Sequence, residues 1–238
     1  MIEFQQVTVT VSLPQAGRAA VARTLLAGLD LSLDEDRVAV IGANGSGKST
    51  LLRLLNGLVL PSSGRVLVDG LDTAAQARQV RSRVGFVFTD PLAQLLMGTP
   101  LDDVELSLRH LVPGKAARRA RALELLAGRG LEGLAQQSVY DLSGGERQLV
   151  SLTSVLAAGP ELVVADEPTT LLDLRNRNDV ADALWAMPQR LVIATHDLEL
   201  AARAERVLVV HAGRIVADGG PERSIEHYRT LMTGGGRP

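Results

Sequence analysis

Residues 42–49 read GANGSGKS. They satisfy the spacing G-x-x-x-x-G-K-[S/T], directly after the apolar run RVAVIG at 37–42 and directly before an apolar helical pattern. That context is what a phosphate-binding loop requires. Backbone amides of Ala43, Asn44, Gly45, Ser46, Gly47, Lys48 and Ser49 can line up on an anion at the positive end of a helix, with Gly42 before them and Thr50 after. Lys48 would reach the β- and γ-phosphates of a nucleotide, and Ser49 would ligate Mg²⁺. A glycine-rich turn with a chance lysine is the bland alternative. It does not explain strand, glycines, lysine, serine and helix arriving together.

Two further apolar runs end in polar residues. LVVADEP, residues 162–168, delivers two adjacent carboxylates at the end of a buried strand, where α/β sheets bind ligands. Asp166 suits Mg²⁺, and Glu167 suits polarising an attacking water. Two acids capping a helix would look the same in isolation. IATHD, residues 193–197, puts His196 at a strand tip, where an imidazole can bond a phosphate oxygen or the water. A lone histidine there is ordinarily structural or simply exposed. Finally, DLSGGERQLV at 141–150 places Ser143 as an N-cap, with Gly144 and Gly145 leaving the first-turn amides open. This is half of an anion seat, with no lysine of its own.

These turns need a frame. The runs 37–42, 83–90, 161–166 and 190–197 read as buried parallel strands, and helical patterns occupy 48–56, 101–111, 115–128, 145–158 and 173–186. Residues 2–33 read as an antiparallel hairpin layer turning near PQAGRA. Alternating strands and helices imply an α/β fold with a parallel sheet, and residues 92–140 read as an α-helical insertion. The TGGGRP tail at 233–238 reads as a frayed end.

The bulk numbers agree with a globular α/β chain. It has 238 residues, 46% hydrophobic and 22% charged, with a formal net charge of −2. That balance argues against a broad nucleic-acid surface. There are no cysteines, which removes disulfides and thiolate metal sites. The start MIEFQQVTVTV alternates like a strand and does not read as a signal peptide, and no apolar stretch approaches the ~18 residues of a membrane span. The expectation is a cytoplasmic protein whose membrane role, if any, comes through a partner.

The order P-loop, helical insertion, LSGGE, VVADEP, LLD, ATHD resembles the ATP-binding-cassette ATPases over nearly the whole chain. Gly42 to Thr50 match the family's Walker A. Leu142, Ser143, Gly144, Gly145 and Glu146 match the signature. Leu162 to Glu167 match the Walker B with its catalytic glutamate, Leu172 and Asp173 the D-loop, and His196 the switch histidine. The resemblance implies a P-loop NTPase core over 1–91 and 141–220, a helical subdomain at about 92–140, and a C-terminal helix and tail at 221–238. It also implies ATP and Mg²⁺ as cofactors and a head-to-tail dimer, in which Ser143, Gly144 and Gly145 hold the γ-phosphate bound by the other copy. A homodimer is expected because one chain carries both Glu167 and a signature.

Two positions depart from the family. Thr89 stands where a glutamine usually touches Mg²⁺ or water and senses the membrane partner. Val11 stands where an adenine-stacking aromatic is expected. The run FVFTDPLAQLL, with Val87, Phe88, Asp90, Pro91 and Gln94 but Leu92 and Ala93 in place of an acid pair, resembles the energy-coupling-factor ATPases of vitamin and metal uptake. That resemblance implies a transmembrane coupling protein and a substrate-binding membrane subunit as partners, at the cytoplasmic face of the membrane. Biotin is the first expectation for the cargo, cobalt or nickel the second. Asp102, Asp103 and Glu105 are expected near a groove that receives a basic coupling helix. The rival readings are a soluble ATPase of DNA repair or translation, against which the short insertion and single cassette count, and a small-molecule kinase, in which the LSGGE helix has no task.

Overall fold

The computed structural model describes residues 1–15 and 18–234, with side chains described for residues 1–12 and 21–234. The elements run β1 (Ile2–Gln15), β2 (Arg18–Leu33), β3 (Arg37–Ile41), α1 (Lys48–Leu54), β4 (Ser63–Val68), β5 (Leu71–Asp72), α2 (Ala77–Arg83) and β6 (Val84–Val87). They continue through α3 (Pro100–Ser107), α4 (Lys115–Ala127), α5 (Gly144–Ala157), β7 (Leu162–Asp166), α6 (Leu174–Trp185) and β8 (Arg190–Ala194). The chain closes with α7 (Leu198–Ala201), β9 (Arg206–His211), β10 (Arg214–Gly219) and α8 (Pro221–Thr233). It divides into two compact units, residues 1–84 with 190–238, and residues 85–189.

In the first unit, an antiparallel layer has the order β2-β1-β4-β5. Its inward residues Phe4, Val9, Leu26, Leu29, Leu33, Val66 and Val68 are all buried. In β1 alternation sends Ile2 and Phe4 inward and then, after an irregularity at Gln6 that switches the parity, Val7 and Val9, so one face is apolar. The expected hairpin is present, with Gln15 opposite Arg18; residues 16 and 17 of its turn lie outside the described residues, as do residues 235–238 of the tail. The parallel part of this unit centres on β3, which pairs parallel with both β8 and β9, while β10 pairs antiparallel with β9. Val38 to Ile41 are fully buried, because a parallel strand is covered on both faces.

Two ion clusters tie strand ends in this unit. Arg206 donates from Nε and Nη2 to Asp218 at 2.6 and 2.7 Å, and from Nη1 to Glu35 at 3.0 Å and to the Ser32 carbonyl at 3.0 Å. Partial burial opposes the Glu35 charge, yet backbone amides of Glu35 and Asp34 together with Arg206 hold its carboxyl below the ordinary value. Asp69 takes the N-terminal ammonium at 2.6 Å and Arg190 at 2.5 Å. Burial again opposes the charge, and these two cations outweigh it, so the Asp69 carboxyl is also lowered.

In the second unit, β7 is buried along its whole length and lies beside β6. Helices α3, α4 and α5 share one apolar core of Leu101, Val104, Leu108, Ala122, Leu126, Leu131, Ala135, Leu142, Val150 and Ala157. The helical pattern expected over 101–111 begins at Pro100 and gives way after Ser107 to a 3-10 turn, Leu108–His110. Helix α3 starts at Pro100 because Thr99 caps it, accepting from the Asp102 amide at 3.2 Å, and proline suits the first helical position. The expected strand at 83–90 is regular only over Val84–Val87, and Phe88 to Asp90 turn away from it.

Candidate functional site

The loop after β3 belongs to the first unit. Gly42, Gly45 and Gly47 have φ of +156°, +77° and +115°. A side chain at Gly42 would begin 2.2 Å from the Val210 carbonyl oxygen and 2.7 Å from Ser46 Oγ. At Gly47 it would begin 2.9 Å from Leu26 and 3.0 Å from the Leu25 carbonyl oxygen. Only glycine combines that backbone with that crowding. The loop is braced from outside. The Gly213 amide donates to the Ser46 carbonyl at 2.9 Å, and the Ala27 amide donates to the Gly213 carbonyl at 2.9 Å. Beside Gly47, α1 begins, and the Leu51 amide closes its first turn on the Gly47 carbonyl at 2.9 Å.

Lys48 is buried and donates to the Gly42 carbonyl at 2.8 Å and the Ala43 carbonyl at 3.4 Å. Ser46 Oγ is buried with no hydrogen-bond partner among the described residues. An orphaned buried hydroxyl costs ~1–3 kcal/mol unless something pairs with it. A cation folded onto its own loop, an orphan hydroxyl and glycine-lined amides fit an anion with several acceptor oxygens, and phosphate oxygens are stronger acceptors than the carbonyls Lys48 now holds. Ser49 and Thr50 follow on α1 and are half-buried.

His196 stands in the same unit, just past β8. The Thr195 amide donates to the Val40 carbonyl at 3.1 Å, which ties this turn to the strand that leads into Gly42. Asp197 caps α7, accepting from the Glu199 and Leu200 amides at 3.0 and 3.2 Å. The histidine is exposed between these two anchored residues. Val11 is half-buried opposite Arg23 in the β1–β2 hairpin.

The second unit holds the carboxylates and the signature. Asp166 ends β7 at 2% exposure. Glu167 follows with φ of +51°, a left-handed conformation that costs a non-glycine residue ~1–2 kcal/mol. Its carboxylate accepts from Thr170 Oγ1 at 2.9 Å. Ser143 caps α5 in a full capping box. Its Oγ accepts from the Glu146 amide at 3.2 Å, and its own amide donates to the Glu146 carboxylate at 2.7 Å. Leu142 is buried in the helical core beneath, so the cap rests on fixed packing. A side chain at Gly145 would begin 2.2 Å from Asn176 Oδ1. Asp173 caps α6 through the Asn176 amide at 2.9 Å; that backbone bond, with the Asn176 side chain and Arg175, holds its exposed carboxyl below the ordinary value.

Thr89 lies between these elements of the second unit. Its Oγ1 donates to the Asp166 carbonyl at 2.7 Å. Thr89, Asp90, Pro91 and Leu92 line a cavity of about 120 Å³ with Gly144, Arg147, Gln148, Pro168, Leu171 and Leu172.

Of the three acids expected near a docking groove, Asp102 and Glu105 are half-buried and Asp103 is buried. Asp103 is only 5% exposed. Its Oδ1 accepts from the Leu96 and Met97 amides at 2.8 and 3.0 Å, and its Oδ2 accepts from Ser154 Oγ at 2.7 Å. Asp102 is engaged with the Thr99 hydroxyl at 2.8 Å, and Glu105 lies 3.9 Å from Arg118. The reason is local. Helix geometry turns position 103 inward with Leu101 and Val104, and a buried carboxylate there finds amides of the preceding loop as donors. Among residues that motif reading did not single out, Gln148 donates from Nε2 to the Phe88 carbonyl at 3.2 Å, and Thr170 bonds Glu167. Neither has a spacing signal; Gln148 is buried in α5 alongside other polar residues, Ser151, Thr153 and Ser154.

A family model described as ABC transporter matches residues 26–170. The chain belongs to the ABC transporter ATPase family. The activity of this family is ATP hydrolysis coupled to transport, and the repair, translation and kinase readings are not favoured. Among curated relatives, a putative ABC transporter ATP-binding protein of Deinococcus radiodurans is 47% identical over 211 residues, covering 89% of this chain and 93% of the relative. The biotin transport ATP-binding protein BioM of Rhizobium etli is 44% identical over 216 residues, covering 91% and 96%. The energy-coupling factor transporter ATP-binding protein EcfA1 of Symbiobacterium thermophilum is 39% identical over 214 residues, covering 87% and 75%. Among solved structures, the ABC cassette MJ0796, in a dimeric post-hydrolysis state with ADP and phosphate, superposes with a TM-score of 0.81 at 29% identity, covering 93% of this chain and 99% of that one. The cassette cbiO1 of Clostridium perfringens, part of a cbiONQ transporter complex, superposes at 0.79 with 26% identity, covering 98% and 93%. The ABC fold is therefore the α/β fold with an antiparallel layer that the sequence implied. Among the described residues no helix is long and apolar enough to cross a membrane.

Proposed function

We propose that this ABC chain is the ATP-hydrolysing subunit of an energy-coupling-factor importer whose cargo is biotin. The observation that carries the catalytic part is the loop of residues 42–50, where an orphaned Ser46 hydroxyl and the Lys48 ammonium face a glycine-lined turn suited to phosphate. The transport part is supported by the 44% identity to a protein named for biotin transport.

In this reading Gly42 to Thr50 bind the triphosphate through backbone amides, and Lys48 neutralises its charge. Ser49 and Asp166 offer a hydroxyl and a buried carboxylate, the hard oxygen donors that Mg²⁺ takes alongside phosphate oxygens. These two residues would hold Mg²⁺, which would supply charge neutralisation at the phosphates. Glu167 orients the attacking water as general base, and His196 bonds the γ-phosphate oxygen or that water. Leu142 to Glu146 present the start of α5 to the γ-phosphate held by a second copy, with Leu172 and Asp173 at the same boundary. ATP then joins the two copies and hydrolysis releases them. The reading includes a core of 1–91 and 141–220, a helical subdomain at 92–140, a membrane coupling protein, a substrate-binding membrane subunit and a position on the cytoplasmic face.

The test is biotin uptake in cells that carry this chain together with its candidate membrane subunits. Uptake is expected to require ATP hydrolysis and to disappear with Lys48→Ala, while co-purification of the membrane subunits persists. Uptake of nickel or cobalt instead of biotin would overturn the cargo; Mg²⁺-ATP hydrolysis unchanged by Lys48→Ala would overturn the phosphate site.

A further inference from the structure

Glu167 is held in a conformation that its own backbone disfavours. Two threonines hold it. The φ of +51° at Glu167 describes rotation about the bond from its nitrogen, so its direction is set by the peptide plane that joins Asp166 to Glu167. The oxygen of that peptide is the Asp166 carbonyl, and this is the atom that takes the Thr89 hydroxyl at 2.7 Å. The far end of the residue is held separately. Thr170 donates its hydroxyl to Glu167 Oε2 at 2.9 Å, and its amide closes a turn on the Glu167 carbonyl at 3.3 Å.

Thr89 is itself fixed from both sides. The amide of Phe88 donates to Gln94 Oε1 at 3.2 Å, and the carbonyl of Phe88 accepts from Gln148 Nε2 at 3.2 Å. The Phe88 ring packs on Phe86 at 4.7 Å between centroids. Gln148 is 1% exposed and belongs to α5, the helix capped by Ser143. A continuous set of bonds within one unit thus runs from the signature helix through Phe88 and Thr89 to the peptide that aims Glu167.

We propose that Thr89 and Thr170 are positioning residues that together aim the Glu167 carboxylate at the attacking water. Thr89 fixes the peptide from which Glu167 departs, and Thr170 fixes the carboxylate. In this chain the hydroxyl proton at position 89 goes to a backbone carbonyl, so position 89 acts on hydrolysis through Glu167. The inference rests on the reading of Glu167 as general base.

The geometry separates this role from nucleotide binding, because among the described residues the hydroxyls of the two threonines bond to the Asp166 carbonyl and the Glu167 carboxylate and not to the loop 42–50. Misplacement of a catalytic group by about 1 Å costs up to ~100-fold in rate, and the loss of one of two restraints moves the group less, so an effect of about 10-fold is expected. The test uses the full chain and measures steady-state ATP hydrolysis, KM for ATP and the urea midpoint of Thr89→Val, Thr89→Ser, Thr170→Val and Thr170→Ser. Each valine variant should lower kcat about 10-fold, with KM within about 2-fold and an unchanged midpoint. Each serine variant keeps the hydroxyl and should restore most of the rate. Valine variants with wild-type kcat would overturn the proposal. So would valine variants whose kcat falls together with the midpoint and is not recovered by serine, since that pattern marks a merely structural role. Glu167→Gln is measured beside them. If it remains active, the reading of Glu167 is what fails; if it is inactive while both valine variants are fully active, only the positioning role fails.

Discussion

Asp103→Ala should destabilise the unit of residues 85–189 by about 2–3 kcal/mol, and the figure follows from its three donors. Hydrogen bonds to a carboxylate are worth ~1.5–3 kcal/mol each, so simple addition would give a much larger loss. The donors differ in their access to water. Leu96 is 77% exposed and Met97 37%, so water can replace the carboxylate at their amides. Ser154 is 5% exposed, and its hydroxyl is left buried without an acceptor. That single orphan costs ~1–3 kcal/mol, and the released loop at 96–97 adds part of a bond, while the desolvation penalty of the carboxylate is removed. With a urea m-value of ~1–3 kcal/mol/M, the midpoint should fall by roughly 1 M without a change of slope. Asp103→Ala/Ser154→Ala removes donor and acceptor together and should recover about 1 kcal/mol of the loss, since directly bonded residues are not additive. A midpoint shift below about 0.2 M in the single variant, or strict additivity in the double one, would refute the reasoning. Charge reversal at Asp103 would likewise act on folding before it acted on any partner.

Gly145→Ala places a carbon 2.2 Å from Asn176 Oδ1 and 2.6 Å from Asn176 Cβ and should cost ~1–3 kcal/mol, only partly relieved in Gly145→Ala/Asn176→Ala, which keeps that Cβ; thermal or urea unfolding of the pair is the check, and a loss not relieved at all would locate the strain elsewhere. The Glu35 and Asp69 carboxyls are lowered in the folded state, so their contribution is present above the unfolded values of 4.5 and 3.8 and is lost as pH falls through the folded ones. Stability should therefore decline below about pH 4.5, with a shallower decline in Arg206→Met and in 1 M salt, because both groups are largely solvated and screened; identical acid slopes in wild type and Arg206→Met would contradict this. The signature should act across the dimer. A Ser143→Arg chain paired with a Lys48→Ala chain concentrates both lesions in one composite site and should keep more trapped ATP and turnover than a Ser143→Arg/Lys48→Ala chain paired with wild type; equal values would mean that the signature does not act in trans.

The chemistry-bearing turns were legible because each is local. The glycines, Lys48 and Ser49 lie within eight consecutive residues, and Ser143 and Glu146 close their capping box within one helical turn. What escaped depends on partners far along the chain. Strand β4 is recognisable through pairing with β1, more than fifty residues earlier, the two-residue β5 pairs only with β4, and β9 pairs with β3 across an even longer separation. RVLVVH at 206–211 is as apolar as the strands that were identified, but no functional turn marks its end. Asp103 shows the same limit for side chains. An acid in the first turn of a helix suits the dipole whether it faces water or the core, and only the packing of α3 on α5 turns this one toward Ser154. Thr89 read as a departure from a pattern. Its bond to Asp166, seventy-seven positions away, gives it a different task that no local spacing announces.

The account stands on Glu167 as the base that serves ATP hydrolysis. The most direct measurement is steady-state Mg²⁺-ATP hydrolysis by Glu167→Gln beside its ATP affinity by calorimetry and its size by exclusion chromatography with and without ATP. The substitution keeps the shape and removes the carboxylate charge that orients the water. Hydrolysis should fall at least ~100-fold while affinity stays near wild type, and the variant should elute as an ATP-dependent dimer. Turnover within a few-fold of wild type would contradict the assignment of Glu167, and with it the central claim about how this chain hydrolyses ATP.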